Sequence, residues 1–352
     1  MSQKNPLRMR QQFGNPEVTR VRKYGSLRNF IPMEQYTLGI DIGTTSVKVC
    51  IVSTKTSEVI AQHVKDTQSN IPSDTGPGGN KQDVPKIISA LNLCVSKLPK
   101  QHLQYVSKIG ICGQMHGIMF WKNEEGRMAW DMIEKDKSVR YDVVQGRVSA
   151  LYTWQDNRCD PEFLASLPKP QSHLNVSSGF GTATIFWMLP DLVTKQRRKS
   201  ILPEKLKKYN CCGTIADFAV AMLCNLNKPT MSYQNAASWG YFDCANHKWN
   251  SEILQDSGFP MHLLPEVQAS GEIAGRLAKN WHTIPKGTPI DAQLRPGTYS
   301  ALYYRRWKPP QDAVLNISTS AQICFVVDDY EPGLGPPEIT PVEYLPYFKI
   351  SL

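Results

Sequence analysis

The sequence predicts an α/β fold: a mixed sheet opened by an antiparallel hairpin, continued by a helix and a further strand, and followed by the start of a second, similar lobe. Three observations carry this. Leu38, Ile40 and Ile42 alternate along the chain, and so do Val47, Val49 and Ile51, on either side of the short segment Gly43-Thr44-Thr45-Ser46; period-2 runs around such a turn specify a β-hairpin. An amphipathic stripe of Ile88, Leu91, Val95 and Leu98 comes next and leads to another apolar strand, Val106 to Ile111. Far downstream, Ala313 to Ile317 runs into Ser318-Thr319-Ser320 and repeats the arrangement of a strand ending in small hydroxyl residues.

Taken in order, Val59 to Val64 supplies a third antiparallel strand, and residues 68–82, rich in Ser, Asn, Pro, Asp and Gly, form a loop. Asp83 is placed to cap the following helix with Pro85 in its first turn, and Pro99 stops it. The strand from Val106 runs straight into Gly113-Gln114-Met115-His116-Gly117. Residues 122–146 are polar and weakly patterned and are expected to be a loop or insertion. From 160 to 225 the pattern is mostly helical, with Phe163, Leu164, Leu167, Phe218, Val220 and Leu223 as core candidates, and Trp187 and Trp239 are expected in the core as well. Pro285-Lys-Gly287-Thr-Pro289 is a turn cluster where the character changes, and Gln322 to Val327 is the strand returning from the second hydroxyl-rich turn. The expected organisation is a basic tail at 1–35, a first lobe at 36–285, and an incomplete second lobe at 286–352.

Composition bounds the function classes. The chain has 352 residues, 41% hydrophobic and 20% charged, which suits a globular protein and excludes fibrous and wholly disordered classes. No apolar stretch approaches the ~20 residues that cross a bilayer, so no membrane association is expected. The net charge of +9 first suggests a nucleic-acid partner. Residues 1–32, however, hold seven basic residues and one acid, leaving 33 basic against 30 acidic elsewhere. The excess belongs to a tail, so no nucleic-acid partner is expected. That tail is Arg-rich and acid-poor, as mitochondrial transit peptides are; the plainer reading is a disordered extension. A second basic run, 195–208, reads as a solvated surface. The nine cysteines are dispersed, without paired metal-ligand spacing, which fits a reduced, cytoplasmic protein. Oligomeric state has no signal in the sequence.

The first hairpin turn carries chemistry. Gly43 allows close backbone approach, and Thr44, Thr45 and Ser46 set hydroxyls beside free N–H groups, a combination that cradles phosphate. Asp41, at the strand's end, is a carboxylate suited to hydrated Mg²⁺ beside that phosphate. Lys48 either adds positive charge or points to solvent. Taken alone, the segment is equally a plain hairpin with a hydroxyl-rich turn. Ser318, Thr319 and Ser320 supply a second such turn, as a two-lobed nucleotide clamp requires.

Leu38-Gly-Ile-Asp-Ile-Gly-Thr-Thr-Ser-Val-Lys48 resembles the first phosphate motif of the FGGY carbohydrate kinases, of the actin/hexokinase superfamily with its ribonuclease H-like lobes. Gly113-Gln-Met-His-Gly117 is similar to the sugar-contacting motif of that family's xylulokinase-like branch, Trp154-Gln-Asp156-Asn-Arg158 to its Trp-x-Asp-x-Arg segment, and Asn235-Ala-Ala-Ser-Trp-Gly-Tyr-Phe-Asp243 to a further signature. Together with Ser178-Gly-Phe-Gly-Thr-Ala-Thr-Ile-Phe-Trp187, these narrow the resemblance to the branch acting on sedoheptulose. The resemblance covers about residues 36–350 and implies ATP- and Mg²⁺-dependent phosphorylation of that keto-sugar to sedoheptulose 7-phosphate, for pentose-phosphate metabolism. It further implies that Gln114, Met115 and His116 contact the sugar, that Asp156 accepts its hydroxyls, that Arg158 contacts it or holds Asp156, and that Trp154 faces its C–H side.

The pattern breaks in two places. The family sets its catalytic Asp soon after a Gly-Thr-Pro strand; here Gly287-Thr-Pro-Ile290 is present, but the expected position falls near Pro296. Proline cannot take a proton, and Asp291 is the nearest substitute. The adenosine-binding Gly-Gly motif and most of the second lobe have no counterpart before residue 352. Lys81 also stands where relatives commonly carry Glu. Three functions therefore remain open: a sugar kinase, a non-catalytic sugar-binding or regulatory module, and an interaction protein that uses the scaffold and basic tail.

Overall fold

The computed structural model describes residues 34–74, 76–124, 128–172, 174–189 and 204–291, and the backbone of 314–317 and 321–324. The tail at 1–33, Pro296, and the turn Ser318-Thr319-Ser320 lie outside the described residues.

Strands β1 (Tyr36–Ile42) and β2 (Ser46–Ser53) form the expected hairpin, in register from Tyr36↔Ser53 to Ile42↔Val47. Strand β3 (Val59–Asp66) adds antiparallel to β2. Helix α1 (Val84–Ser96) begins as its sequence dictates: the Asp83 side chain accepts the Lys86 N–H, and Pro85 sits in the first turn. Its buried stripe of Ile87, Ile88, Leu91 and Val95 covers β2 and β3. Strand β4 (Val106–Gly113) then runs parallel to β1. Alternation along β1 buries Tyr36, Leu38, Ile40 and Ile42 on the face toward the core and leaves Thr37, Gly39 and Asp41 on the other.

Between β4 and the last strands of the sheet lies a long insertion. It contains β5 (Met119–Trp121), the hairpin of β6 (Trp130–Lys135) and β7 (Ser138–Val143), helix α2 (Gly181–Met188), β8 (Cys211–Gly213) paired with β5, and helix α3 (Ile215–Cys224). The β6–β7 hairpin corrects the expectation of a loop over 122–146. Its turn is Asp136-Lys137, both at positive φ (52° and 60°), without the Gly or Asn that would advertise it. It is anchored by buried Trp130, Val139 and Tyr141, and Asn92 of α1 donates to the Tyr141 carbonyl at 2.8 Å. Among the described residues of 160–225, helix occurs only in short pieces. Phe218, Val220 and Leu223 are buried as predicted, whereas Phe163, Leu164 and Leu167 lie only partly buried beside smaller clusters.

Helix α3 starts at a capping box in which Thr214 Oγ1 accepts the Asp217 N–H and Asp217 accepts the Thr214 N–H at 2.8 Å. The sheet closes with β9 (Ile273–Arg276) antiparallel to β10 (Pro289–Asp291), and β10 parallel to β4 through Ile290↔Ile109. Its order is β9-β10-β4-β1-β2-β3. Strand β10, which follows residue 286, is hydrogen-bonded into this sheet. Strands β11 (Val314–Ile317) and β12 (Ala321–Cys324) pair antiparallel, from Val314↔Cys324 to Ile317↔Ala321.

Cys50, Cys94, Cys112, Cys159, Cys211, Cys212, Cys224 and Cys244 are free thiols. No helix among the described residues is long and apolar enough to cross a membrane.

Candidate active site

Parallel β1 and β4 end side by side, Ile42 opposite Gly113, so the residues that follow each strand share one end of the sheet. That is where α/β sheets present ligands. After β1 comes the turn Gly43-Thr44-Thr45-Ser46, closed by Gly43 N–H donating to the Ser46 carbonyl at 3.0 Å. A Cβ added at Gly43 would meet that same carbonyl at 3.0 Å, so the tight turn favours glycine. After β4 comes Gln114, whose backbone N–H donates to the Ile42 carbonyl at 2.9 Å.

A chain of side-chain hydrogen bonds joins these two strand ends. Buried Gln82 donates from Nε2 to the Thr44 carbonyl at 2.7 Å and to Asn70 Oδ1 at 3.0 Å, and its Oε1 accepts from Gln114 Nε2 at 2.9 Å. Trp154 Nε1 donates to Thr44 Oγ1 at 3.0 Å. Thr44 is thus held at both its carbonyl and its hydroxyl by residues from the sugar-motif side. Gln114 Oε1 is buried with no hydrogen-bond partner among the described residues, an acceptor available to a ligand hydroxyl.

Asp41 lies on the open face of the sheet, with Lys48 Nζ 3.3 Å from its Oδ2 and Cys112 Sγ 3.9 Å from its Oδ1. Burial, reinforced by the Asp41 charge, pushes the Cys112 thiol well up, so it stays protonated. Among the described residues no group of three or more His, Cys, Asp or Glu side chains stands together as metal ligands.

Asp156 is buried and fully engaged. Its Oδ2 accepts the Asn80 N–H at 3.0 Å, and Arg158 Nε meets both oxygens, at 2.8 and 3.0 Å. Its carbonyl accepts Ser178 Oγ–H at 2.8 Å. Arg158 therefore holds Asp156 in place. Its guanidinium carbon sits 4.9 Å from the Tyr152 ring centroid and 4.3 Å from that of Trp187. Trp187, expected in the core, is instead 36% exposed under this stack, while Trp239 is fully buried as expected.

His116 adopts φ 66°, and its ring stacks on Phe180 with centroids 4.6 Å apart. Because its Nδ1 lies 2.8 Å from the Ser238 carbonyl, which can only accept, the Nδ1 carries the proton. Met115 is buried beside it in sequence. The structure thus assembles Gly43, Thr44, Thr45 and Ser46 with Gln114, Trp154 and, through the strand Lys81–Gln82, the Asp156–Arg158 pair.

Asp291 is not brought to this group. Its Oδ2 pairs with Lys108 Nζ at 2.9 Å beside an open cavity that Gln35, Ser107 and Glu272 also line. Lys108 precedes Gly113 by five positions on β4, a rise of ~16 Å, and Gln35 precedes the start of β1. Burial raises the Asp291 carboxyl, and the Lys108 hydrogen bond opposes this.

Sequence reasoning missed Gln82 and Asn80, and named Ser178 and Phe180 only within a motif, without a role. Gln82 sits on a two-residue strand, too short for periodicity to show, and its role follows only from contacts 12 to 38 positions away.

The profile of the FGGY family of carbohydrate kinases, N-terminal domain, matches residues 36–294. Sedoheptulokinase from Mus musculus is 45% identical over 319 residues, covering 89% of this chain and 63% of its own length. The Homo sapiens sedoheptulokinase is 45% identical over 323 residues, with 89% and 64% covered. This chain therefore spans less than two thirds of the length of the curated relatives it matches. Among solved structures, Plasmodium falciparum glycerol kinase with ADP superposes with a TM-score of 0.61 at 16% identity, covering 82% of this chain and 54% of that one. Lactobacillus acidophilus gluconate kinase gives 0.58 at 16% identity, with the same coverage. Those structural likenesses establish the fold, an actin-like lobe around a mixed sheet. By the extent of the profile match and the order of its motifs, the chain belongs to the FGGY family of carbohydrate kinases.

Proposed function

We propose that this chain carries the sugar-binding lobe of an ATP-dependent kinase that phosphorylates sedoheptulose at its terminal primary hydroxyl, giving sedoheptulose 7-phosphate for cytoplasmic pentose-phosphate metabolism. The observation that carries the proposal is the double anchoring of Thr44, which ties a phosphate-type turn to Trp154 and, through Gln82, to Gln114. The 45% identity to two sedoheptulokinases supports the choice of sugar.

A buried polyol needs a partner for each hydroxyl, since each one left unpaired costs about 1–3 kcal/mol. Gln114 Oε1 is an open acceptor, His116 presents an imidazole fixed by its Ser238 bond, and Trp154 offers an apolar face whose tilt its own hydrogen bond sets. The N–H groups and hydroxyls of Gly43 to Ser46 fit the phosphates of ATP. Asp41, on the open sheet face near that turn, would hold a hydrated Mg²⁺, and that ion would supply charge neutralisation on the transferring phosphoryl group. Lys48, paired with Asp41, is positioned to add to it, and Ser318 to Ser320 would serve as the matching turn of the second lobe.

A second reading is a sugar-binding module without turnover. It is favoured by Asp291, the nearest carboxylate to the expected base, being tied to Lys108 on the same strand that presents Gln114 at its other end. Calorimetric titration of the chain with sedoheptulose, run beside an ATP-coupled phosphorylation assay, separates the two. Binding with turnover supports the kinase. Binding without turnover supports the module, and no binding of sedoheptulose overturns both.

A further inference from the structure

Two cations are buried together behind the sugar-facing residues. The Lys81 residue is 6% exposed, and the Arg158 side chain 3%. Both stand over one aromatic ring: Lys81 Nζ is 5.2 Å and Arg158 Cζ 4.9 Å from the Tyr152 centroid. Successive residues of a strand face opposite ways, and the contacts follow that rule. Gln82 reaches Thr44, Asn70 and Gln114, whereas Lys81 reaches Tyr152 and Asp74.

Two carboxylates face these two cations, but only one of them is buried with them. Asp156 is saturated by Arg158 Nε and the Asn80 and Arg158 N–H groups. The other carboxylate is Asp74, ion-paired with Lys81 but with its side chain 71% in solvent. Arg158 Nη1 is buried and has no hydrogen-bond partner among the described residues. A buried donor without a partner is costly, and a neutral hydroxyl would satisfy it while leaving the buried Lys81 charge with only a solvent-exposed carboxylate. A planar or tetrahedral oxyanion satisfies both, because guanidinium and ammonium donors match its oxygens.

We propose that Lys81 and Arg158, against Tyr152 and Trp187, form a binding site for a small oxyanion, a carboxylate or phosphate, and that Asp74 is its displaceable internal substitute. The ligand's source is either a free oxyanion or an acidic group carried on a polyol. Nothing in this site requires phosphoryl transfer, so its test is independent of the kinase activity.

The test is isothermal titration of the full chain at constant ionic strength, with inorganic phosphate in one arm and gluconate in the other. Asp74→Asn changes an exposed side chain, so the fold survives, which circular dichroism checks. Removing a competitor whose carboxylate sits mostly in water should tighten oxyanion binding about fivefold. Adding Lys81→Met to Asp74→Asn should abolish it. Tighter binding of phosphate than gluconate identifies a free oxyanion, and the reverse identifies an acidic polyol; both support the site. Equal affinity of parent and Asp74→Asn for both probes, or binding that survives Lys81→Met, overturns it.

Discussion

Replacing Gln82 with Met tests the network that joins the two strand ends. The substitution keeps length and approximate volume but removes three hydrogen bonds, to the Thr44 carbonyl, to Asn70 Oδ1 and from Gln114 Nε2. The costs differ by exposure. Asn70 is exposed and regains water at little cost, and the Thr44 carbonyl is half-buried. Gln114 is 8% exposed and already has one orphaned atom, so its amide is left with no side-chain partner. One fully buried orphan and one partial one give a destabilisation of about 2–3 kcal/mol. Urea unfolding of parent and variant, fitted with a common slope, measures it. Calorimetry should then show sedoheptulose affinity falling, because Gln114 has lost the contact that orients it. A loss below about 1 kcal/mol with sugar affinity unchanged would refute the network as the element holding the site.

Three further outcomes follow from local features. Burial raises the Asp217 carboxyl from 3.8 to about 7, so between those values the folded chain holds a proton the unfolded chain releases. Stability from this residue should fall as pH rises across that window, and Asp217→Asn should flatten the fall in urea midpoints measured from pH 4 to pH 8. His282 is held down at about 4, first by burial and then by Arg140 and Lys100. Its contribution is present above pH 6.5 and is lost as pH drops through 4, and His282→Asn, which tolerates the φ of 47°, should remove that acid sensitivity. Gly179 has φ 81°, and a Cβ there would lie 2.2 Å from the Trp154 carbonyl oxygen. Gly179→Ala should therefore cost about 3 kcal/mol or more in thermal unfolding and weaken sugar binding by displacing Trp154.

Much of the lobe was legible because its elements are local and strongly patterned. The β1–β2 hairpin alternates cleanly, and Asp83 with Pro85 marks the start of α1 as it is observed. The β6–β7 hairpin was not legible, since it buries few side chains and turns on Asp136-Lys137, a pair with no compositional signal. Trp187 was misjudged for a related reason: burial of an indole is a good default, but here Arg158 supplies a polar cover that the sequence does not reveal. For the site, the residue types were visible in the motifs around Thr44, Gln114 and Asp156. Their connector, Gln82, was not, because a buried amide is defined by its partners rather than by its neighbours in sequence.

The anchoring of Thr44 also bears on how the site comes into being. Strands β1 and β2 pair across a turn of four residues and can form early, as short-range contacts do. The shape of that turn is another matter. Its carbonyl waits for a residue 38 positions on, and its hydroxyl for one 110 positions on. Contacts of that separation form late, after the intervening chain has paid its closure entropy. The hairpin is therefore an early folding unit whose working edge is finished last, and a chain ending before Trp154 would keep the strands while lacking the geometry between them.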